Sequence, residues 1–383
     1  MIYLDNAATS FPKPNIVYDE IARCMKEYCA NPGRSGHKMS LKSSIAVQEA
    51  RETISKFFNI KNPLRIVFTK NATEALNIII QGIAKEGCHI ISTSMEHNSV
   101  LRPLKELEKR GIAEVSIAWG SETGEIEPES IARLIKSNTC LIICTLSSNV
   151  NGTIMPVEDI GKIAEEHNIQ FLLDASQGAG SINIDVEKMN ITYMAFPGHK
   201  GLLGPQGTGG LYIKEGILVK SLLQGGTGSF SSSLDQPELM PDSHESGTLN
   251  LPGIVGLKAG IEFINGLGIE NIKLYKNMLL KRLYEGIKEI DGVKIYSKMN
   301  INENSGILAL NIFDCDSTEI AEILSSKYNI AVRGGYHCAP LAHKTLGTEK
   351  QGLVRFSLGC FNTIEDIDYT IKAIREISSQ YSK

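Results

Sequence analysis

Phe196-Pro197-Gly198-His199-Lys200-Gly201 holds the residue best suited to chemistry in this chain. Lys200 lies on a turn just past a strand-like stretch, residues 192–195, with a glycine-rich run and a second apolar strand (residues 211–213) behind it. A ligand can reach an amine placed there, and a lysine amine becomes a useful nucleophile when it forms an imine with a carbonyl compound. Taken alone, a loop lysine is a solvated one. Upstream, Asn71-Ala72-Thr73-Glu74 follows a strand and opens a helix. There Asn71 suits the cap, Glu74 has capping-box spacing, and the first-turn amides can hold a phosphate. His97 and Asn149 follow further strands, and Asp174 ends the strand at 170–173 with Gln177 three residues on. Each has a plain reading as a loop, turn or cap residue.

The elements that must position these residues follow from patterning. From residue 65 onward, short apolar strands (65–68, 88–92, 114–118, 141–146, 170–173) alternate with helices such as 72–83 and 158–167. Runs 141–146 and 170–173 are apolar without alternation, as strands buried on both faces are. This predicts an α/β fold built on a mostly parallel sheet, whose ligands bind beyond the carboxyl ends of the strands. Before it, residues 15–30 read as a helix with Ile16, Ile21, Met25 and Tyr28 inward, residues 31–37 as a loop, and 40–58 as a second helix. After residue 250 come helices at 254–263 and 269–290, strands at 293–296, 306–312 and 353–357, and helices at 317–328 and 364–379. The expected division is a large domain over residues 15–255 and a smaller α+β domain formed by 1–14 with 256–383.

Composition sets limits. Apolar content of 42% and charged content of 21% are those of a globular protein, and a net charge of −4 gives no footprint for nucleic acid. No apolar run approaches the roughly 20 residues of a membrane helix, and no secretory signal is visible, so no membrane association and a cytoplasmic setting are expected. The eight cysteines are thinly spread and include no CxxC pair, which fits a reducing compartment.

A phosphate cradle, an imidazole, a buried carboxylate and a reachable lysine are the parts a pyridoxal phosphate site needs, the carboxylate keeping the pyridine nitrogen protonated. The ordered set Thr73, His97, Asn149, Asp174-x-x-Gln177, His199-Lys200 and Gly204-Pro205 resembles the class V branch of fold-type I pyridoxal phosphate enzymes. Within it the nearest likeness is to cysteine desulfurases and selenocysteine lyases, over nearly the whole chain. The resemblance implies that Lys200 joins the cofactor aldehyde and later moves the α-proton, that Asp174 pairs with the ring nitrogen, and that Gln177 bonds the ring hydroxyl. It implies that His97 stacks on the ring and assists proton transfer, and that Ala72, Thr73 and His199 hold the phosphate. Asn149 and Arg355 would bind the substrate, Arg355 through its carboxylate. Thr248 matches a position that reaches the phosphate of a neighbouring subunit, which implies a homodimer. One departure stands out: the family often has a phosphate-binding serine where this chain has Pro197, which offers neither hydroxyl nor amide proton. That donor must be missing or supplied from elsewhere.

Arg333-Gly334-Gly335-Tyr336-His337-Cys338-Ala339-Pro340 is the second focus. A cysteine in a glycine-bearing loop beside a histidine and an arginine has a setting that favours the thiolate. The same cysteine reads as a buried structural residue or, with His337 and His343, as half of a metal site that lacks a fourth ligand, so no metal is expected. In the family this cysteine takes the substrate's sulfur as a persulfide, and the 17 positions from Cys338 to Arg355 resemble the short-loop desulfurases. L-cysteine is then the expected substrate, L-alanine the product, and a sulfur-acceptor protein the partner. L-selenocysteine is the alternative substrate. A class V aminotransferase and a non-catalytic sulfur carrier are the remaining alternatives.

Overall fold

The computed structural model describes residues 1–33, 35–300 and 302–382. Arg34, within the expected loop at 31–37, and Lys383, the end of the expected small domain, lie outside the described residues. The chain opens with β1 (Ile2–Tyr3), α1 (Asn15–Glu27) and α2 (Lys38–Phe57). The alternating region runs β2 (Ile66–Thr69), α3 (Ala72–Ile83), β3 (Cys88–Thr93), α4 (Asn98–Lys109), β4 (Ala113–Ala118), α5 (Pro128–Ala132), β5 (Thr139–Thr145), α6 (Val157–Glu166), β6 (Gln170–Asp174), β7 (Tyr193–Pro197) and β8 (Gly209–Ile213). The remainder is α7 (Leu251–Leu267), α8 (Ile269–Ile287), β9 (Val293–Ile295), β10 (Ile307–Ile312), α9 (Ser317–Tyr328), β11 (Ile330–Ala331), α10 (Pro340–Thr345), β12 (Val354–Ser357) and α11 (Ile364–Tyr381).

Strands β2 to β8 form one seven-stranded sheet in the order β2-β8-β7-β6-β5-β3-β4. All its pairs are parallel except those made by β8, which runs antiparallel to both β2 and β7. The unbroken apolar runs have the expected cause. In β5, Leu141 and Ile143 join the core on one face, while Ile142 and Cys144 join the core on the other. A three-stranded antiparallel sheet, β12-β10-β9, carries a separate core with Leu279, Leu283, Leu310, Phe356 and Ile374. Leu4 belongs to that core too, because β1 pairs in parallel with β11.

The inward face of α1 differs from the periodic reading. Val17, Cys24 and Tyr28 are buried, whereas Ile16 and Met25 are 44% and 65% exposed. The helix lies against α7, where Gly256 leaves room for Ile21, and Cys24 rather than Met25 is buried in the core. Residues 251–264 of α7 contribute Leu251, Ile254, Leu257, Ile261 and Ile264 to the large core. The chain leaves that core at Gly268, whose φ of +82° suits glycine and separates α7 from α8.

A buried ion pair fastens the segment before α7 to the sheet. Glu245 contacts Arg51 of α2 and accepts from the Phe68 amide at 2.6 Å, while Arg51 also donates to the Ile66 carbonyl. Removing one partner strands a buried charge, so Glu245→Ala should lower stability in urea unfolding by about 3 kcal/mol or more. A change under about 1 kcal/mol would show that the pair does not hold this segment.

Candidate active site

The carboxyl ends of β2, β3, β5, β6 and β7 converge on one cleft of about 470 Å³. Eight of the expected residues line it: Ala72, Thr73, His97, Asn149, Asp174, Gln177, His199 and Lys200. They arrive by turns that the local sequence dictates. Asn71 caps α3 by accepting from the Glu74 amide at 2.9 Å, and Glu74 accepts from the Lys70 amide at 2.6 Å, one residue before the donor of a standard capping box. The amides of Ala72 and Thr73 have no helical acceptor and remain for a ligand. The Lys200 turn sits directly on the loop after β6, since a Cβ on Gly201 would lie 2.2 Å from the Ala179 carbonyl oxygen.

Asp174 is 1% exposed, and its carboxylate accepts from the Ser176 amide at 2.9 Å. Gln177 spends its side-chain amide on the Ala7 carbonyl, 2.8 Å away, tying the N-terminal arm to the cleft. His97 has a role beyond the one its position suggested: it caps α4, with Nδ1 accepting from the Ser99 amide at 3.0 Å. With Nδ1 so engaged, a neutral His97 carries its proton on Nε2. Beneath it, Glu96 is fully buried and accepts from the Thr93 hydroxyl at 2.6 Å and the Thr145 amide at 2.8 Å. Burial, with the Asp174 charge adding to it, pushes Glu96 up to about 8.

Burial also lowers the Lys200 amine to about 8; Arg355 and Arg333 push in the same direction, and the Asp174 carboxylate opposes them. His97 and His199 are both lowered chiefly by burial, His199 to about 4, so both rings are neutral at pH 7. Nδ1 of His199 is buried and has no hydrogen-bond partner among the described residues.

Cys338 and Arg355 come from the other side of the molecule. Cys338 sits on the segment between β11 and α10, where its carbonyl accepts from the Asn98 amide at 2.7 Å and the neighbouring His337 carbonyl accepts from the Asn149 side chain at 2.6 Å. The Arg333 guanidinium donates to the Cys338 sulfur at 3.5 Å. Arg355, 1% exposed on β12, donates to the Asn149 carbonyl at 2.8 Å and pairs with Asp5 at 2.7 Å. Thr248 is not at this cleft. It is exposed in a separate groove with Thr69, Lys70 and Glu74. Among the described residues no cluster of three or more His, Cys, Asp or Glu side chains could hold a metal.

Sequence reading missed Asp5 as the partner of Arg355, Glu96, and Ser99, whose hydroxyl lies 2.8 Å from both Thr73 Oγ1 and His97 Nδ1. Nothing in their local sequence marked them, apart from the polar start of a helix at Asn98-Ser99.

The donor set fits pyridoxal phosphate: an amine with a lowered pKa for the aldehyde, a buried carboxylate for the pyridine nitrogen, a neutral imidazole, and open first-turn amides for the phosphate. The Lys200 pKa gives a test. Only the neutral amine captures an aldehyde, so the initial rate of pyridoxal phosphate capture by the apo-protein should rise through an inflection near pH 8. Asp174→Asn should move the inflection lower, because the carboxylate favours the cation. An inflection near that of an ordinary lysine, or one unmoved in the variant, would contradict this electrostatic account.

Known proteins resemble this chain over almost its whole length. The model of the aminotransferase class-V family matches residues 2–370. A probable cysteine desulfurase of Methanothermobacter thermautotrophicus is 37% identical over 384 residues, covering 98% of this chain and 94% of that protein. A probable cysteine desulfurase of Borreliella burgdorferi is 33% identical over 395 residues, covering 100% and 93%. The apo structure of cysteine desulfurase from Thermococcus onnurineus superposes with a TM-score of 0.93 at 33% identity, covering 99% of this chain and 95% of that one.

Proposed function

This chain belongs to the aminotransferase class-V family, and from that premise we propose that it is a pyridoxal-phosphate-dependent cysteine desulfurase that converts L-cysteine to L-alanine and keeps the sulfur on Cys338 as a persulfide. The observation that carries the reading is the pair of hydrogen bonds, Asn98 amide to Cys338 carbonyl and Asn149 side chain to His337 carbonyl, that seat a thiol-bearing loop beside the Lys200 cleft. A class V aminotransferase has no need of a cysteine held there.

When bound, the cofactor supplies an aldehyde for covalent attachment and a protonated ring that takes up the electron pair left at the substrate α-carbon. The remaining work falls to the protein. Lys200 would be the amine that holds the aldehyde and, with its lowered pKa, the base that would carry the α-proton. Asp174 is the counter-charge for the ring nitrogen. His97 offers Nε2–H to the cleft and so acts as a neutral donor. Arg355 has two of its five N–H groups committed, to Asp5 and Asn149, and keeps three for the substrate carboxylate. Cys338 sulfur then forms a bond to the substrate sulfur as the carbon–sulfur bond breaks, the bonding pair staying with carbon and ending, after proton uptake, in the methyl group of alanine. Arg333 stands at the attacking sulfur as a cationic donor. No oxidant is consumed: cysteine and thiol give alanine and persulfide.

The same groups suit selenocysteine, and selenocysteine lyase activity is the second reading because selenium leaves carbon more readily. The functional unit we favour is a homodimer. Thr248 lies away from the cleft of its own chain, in a groove with the exposed apolar side chains of Leu222 and Leu223. An acceptor protein would then remove the sulfur.

Cys338→Ala should retain bound cofactor, seen as visible absorbance, while alanine release from cysteine falls on the order of 100-fold or more. Parallel assays with selenocysteine separate the readings, since lyase activity would survive the substitution. Unchanged turnover of cysteine in the variant would refute a sulfur-accepting role for this thiol.

A further inference from the structure

We propose that the Ser99 hydroxyl is the phosphate donor that takes the place of the one absent at Pro197. The inference rests on the cofactor reading above and deepens it. Pro197 ends β7 at the cleft and offers no proton to an anion. Two helices point their first turns at the same cleft, and they offer different groups. At α3 the amides of Ala72 and Thr73 are open. At α4 the corresponding amides are spent: Asn98 on the Cys338 carbonyl at 2.7 Å, Ser99 on His97 Nδ1 at 3.0 Å, and Val100 on the His97 carbonyl at 2.9 Å. What α4 has left to offer an anion is therefore the hydroxyl of its second residue.

That hydroxyl is placed for the task. Ser99 lines the cleft together with Thr73, and the two side-chain oxygens are 2.8 Å apart, so they form one donor pair at the junction of two helix N-termini. His97 Nδ1 is also 2.8 Å from Ser99 Oγ, but its single in-plane lone pair already receives the Ser99 backbone N–H. The Ser99 hydroxyl therefore has at Nδ1 only a share of an acceptor that the backbone N–H already uses, and a phosphate oxygen in the cleft gives its proton a stronger, charged acceptor. Thr73 can donate to the Ser99 oxygen at the same time, which strengthens the outward bond.

Apo-protein is titrated with pyridoxal phosphate and, separately, with pyridoxal, which lacks the phosphate, and visible absorbance is followed. Ser99→Ala should weaken pyridoxal phosphate binding on the order of 10-fold or more while leaving capture of pyridoxal unchanged. Ser99→Thr, which keeps the hydroxyl, should bind as the parent does, and Pro197→Ser should restore affinity in the Ser99→Ala background. If Ser99→Ala holds pyridoxal phosphate as tightly as the parent, the assignment is wrong. It is equally wrong if pyridoxal and its phosphate weaken by the same factor, since Ser99 would then act through His97. A parent protein that captures neither aldehyde would instead remove the cofactor reading itself.

Discussion

Two carbonyl oxygens fasten the thiol segment to the Lys200 cleft. The sheet end of the large core carries the amine, the carboxylate and the imidazole; Arg355 stands on β12, and the thiol lies on the segment between β11 and α10. The carbonyls of His337 and Cys338 accept from Asn149 and from Asn98 across the gap between them. The approach of the thiol to the cleft depends on that junction. It is also economical in its choice of atoms, because backbone acceptors hold the loop while leaving the cysteine sulfur itself for Arg333.

Charge is arranged around the junction with similar care. Lys200, Arg333 and Arg355 press on one another, and the carboxylates of Asp174 and Asp5 answer them. Arg355, nearly inaccessible to water, would be costly to bury alone, and Asp5 meets it from the N-terminal arm. The arm is thereby drawn into the site twice, by Asp5 at Arg355 and by Ala7 at Gln177. Glu96 lies under the same region as a carboxyl group that burial holds protonated at neutral pH, so it adds no second negative charge beneath Asp174.

Much of this was legible in the chain. The sheet announced itself because strands buried on both faces have to be apolar at every position, and the cleft residues announced themselves because each falls just after such a strand. Contacts between distant segments were not legible. Asp5 and Arg355 lie 350 positions apart, and neither has a neighbour that marks the pairing. Histidine is not a residue that suggests a helix cap, so nothing in the sequence pointed to the Nδ1 contact of His97 or, through it, to Ser99. The buried face of α1 departs from its apolar period, since Ile16 and Met25 face outward while Val17 and Cys24 are buried. A glycine on α7 decided instead which residues could approach.

His337 and Cys338 both adopt left-handed backbone angles, with φ of +50° and +58°, although neither is glycine. Such a pair is disfavoured by roughly 1–2 kcal/mol per residue, and here the same two residues provide the anchored carbonyls. The bend in the thiol segment is therefore a property of the assembled molecule, upheld from outside the stretch of chain that contains it. Without Asn98 and Asn149 to hold its two carbonyls, the segment would lose the curvature that aims the sulfur.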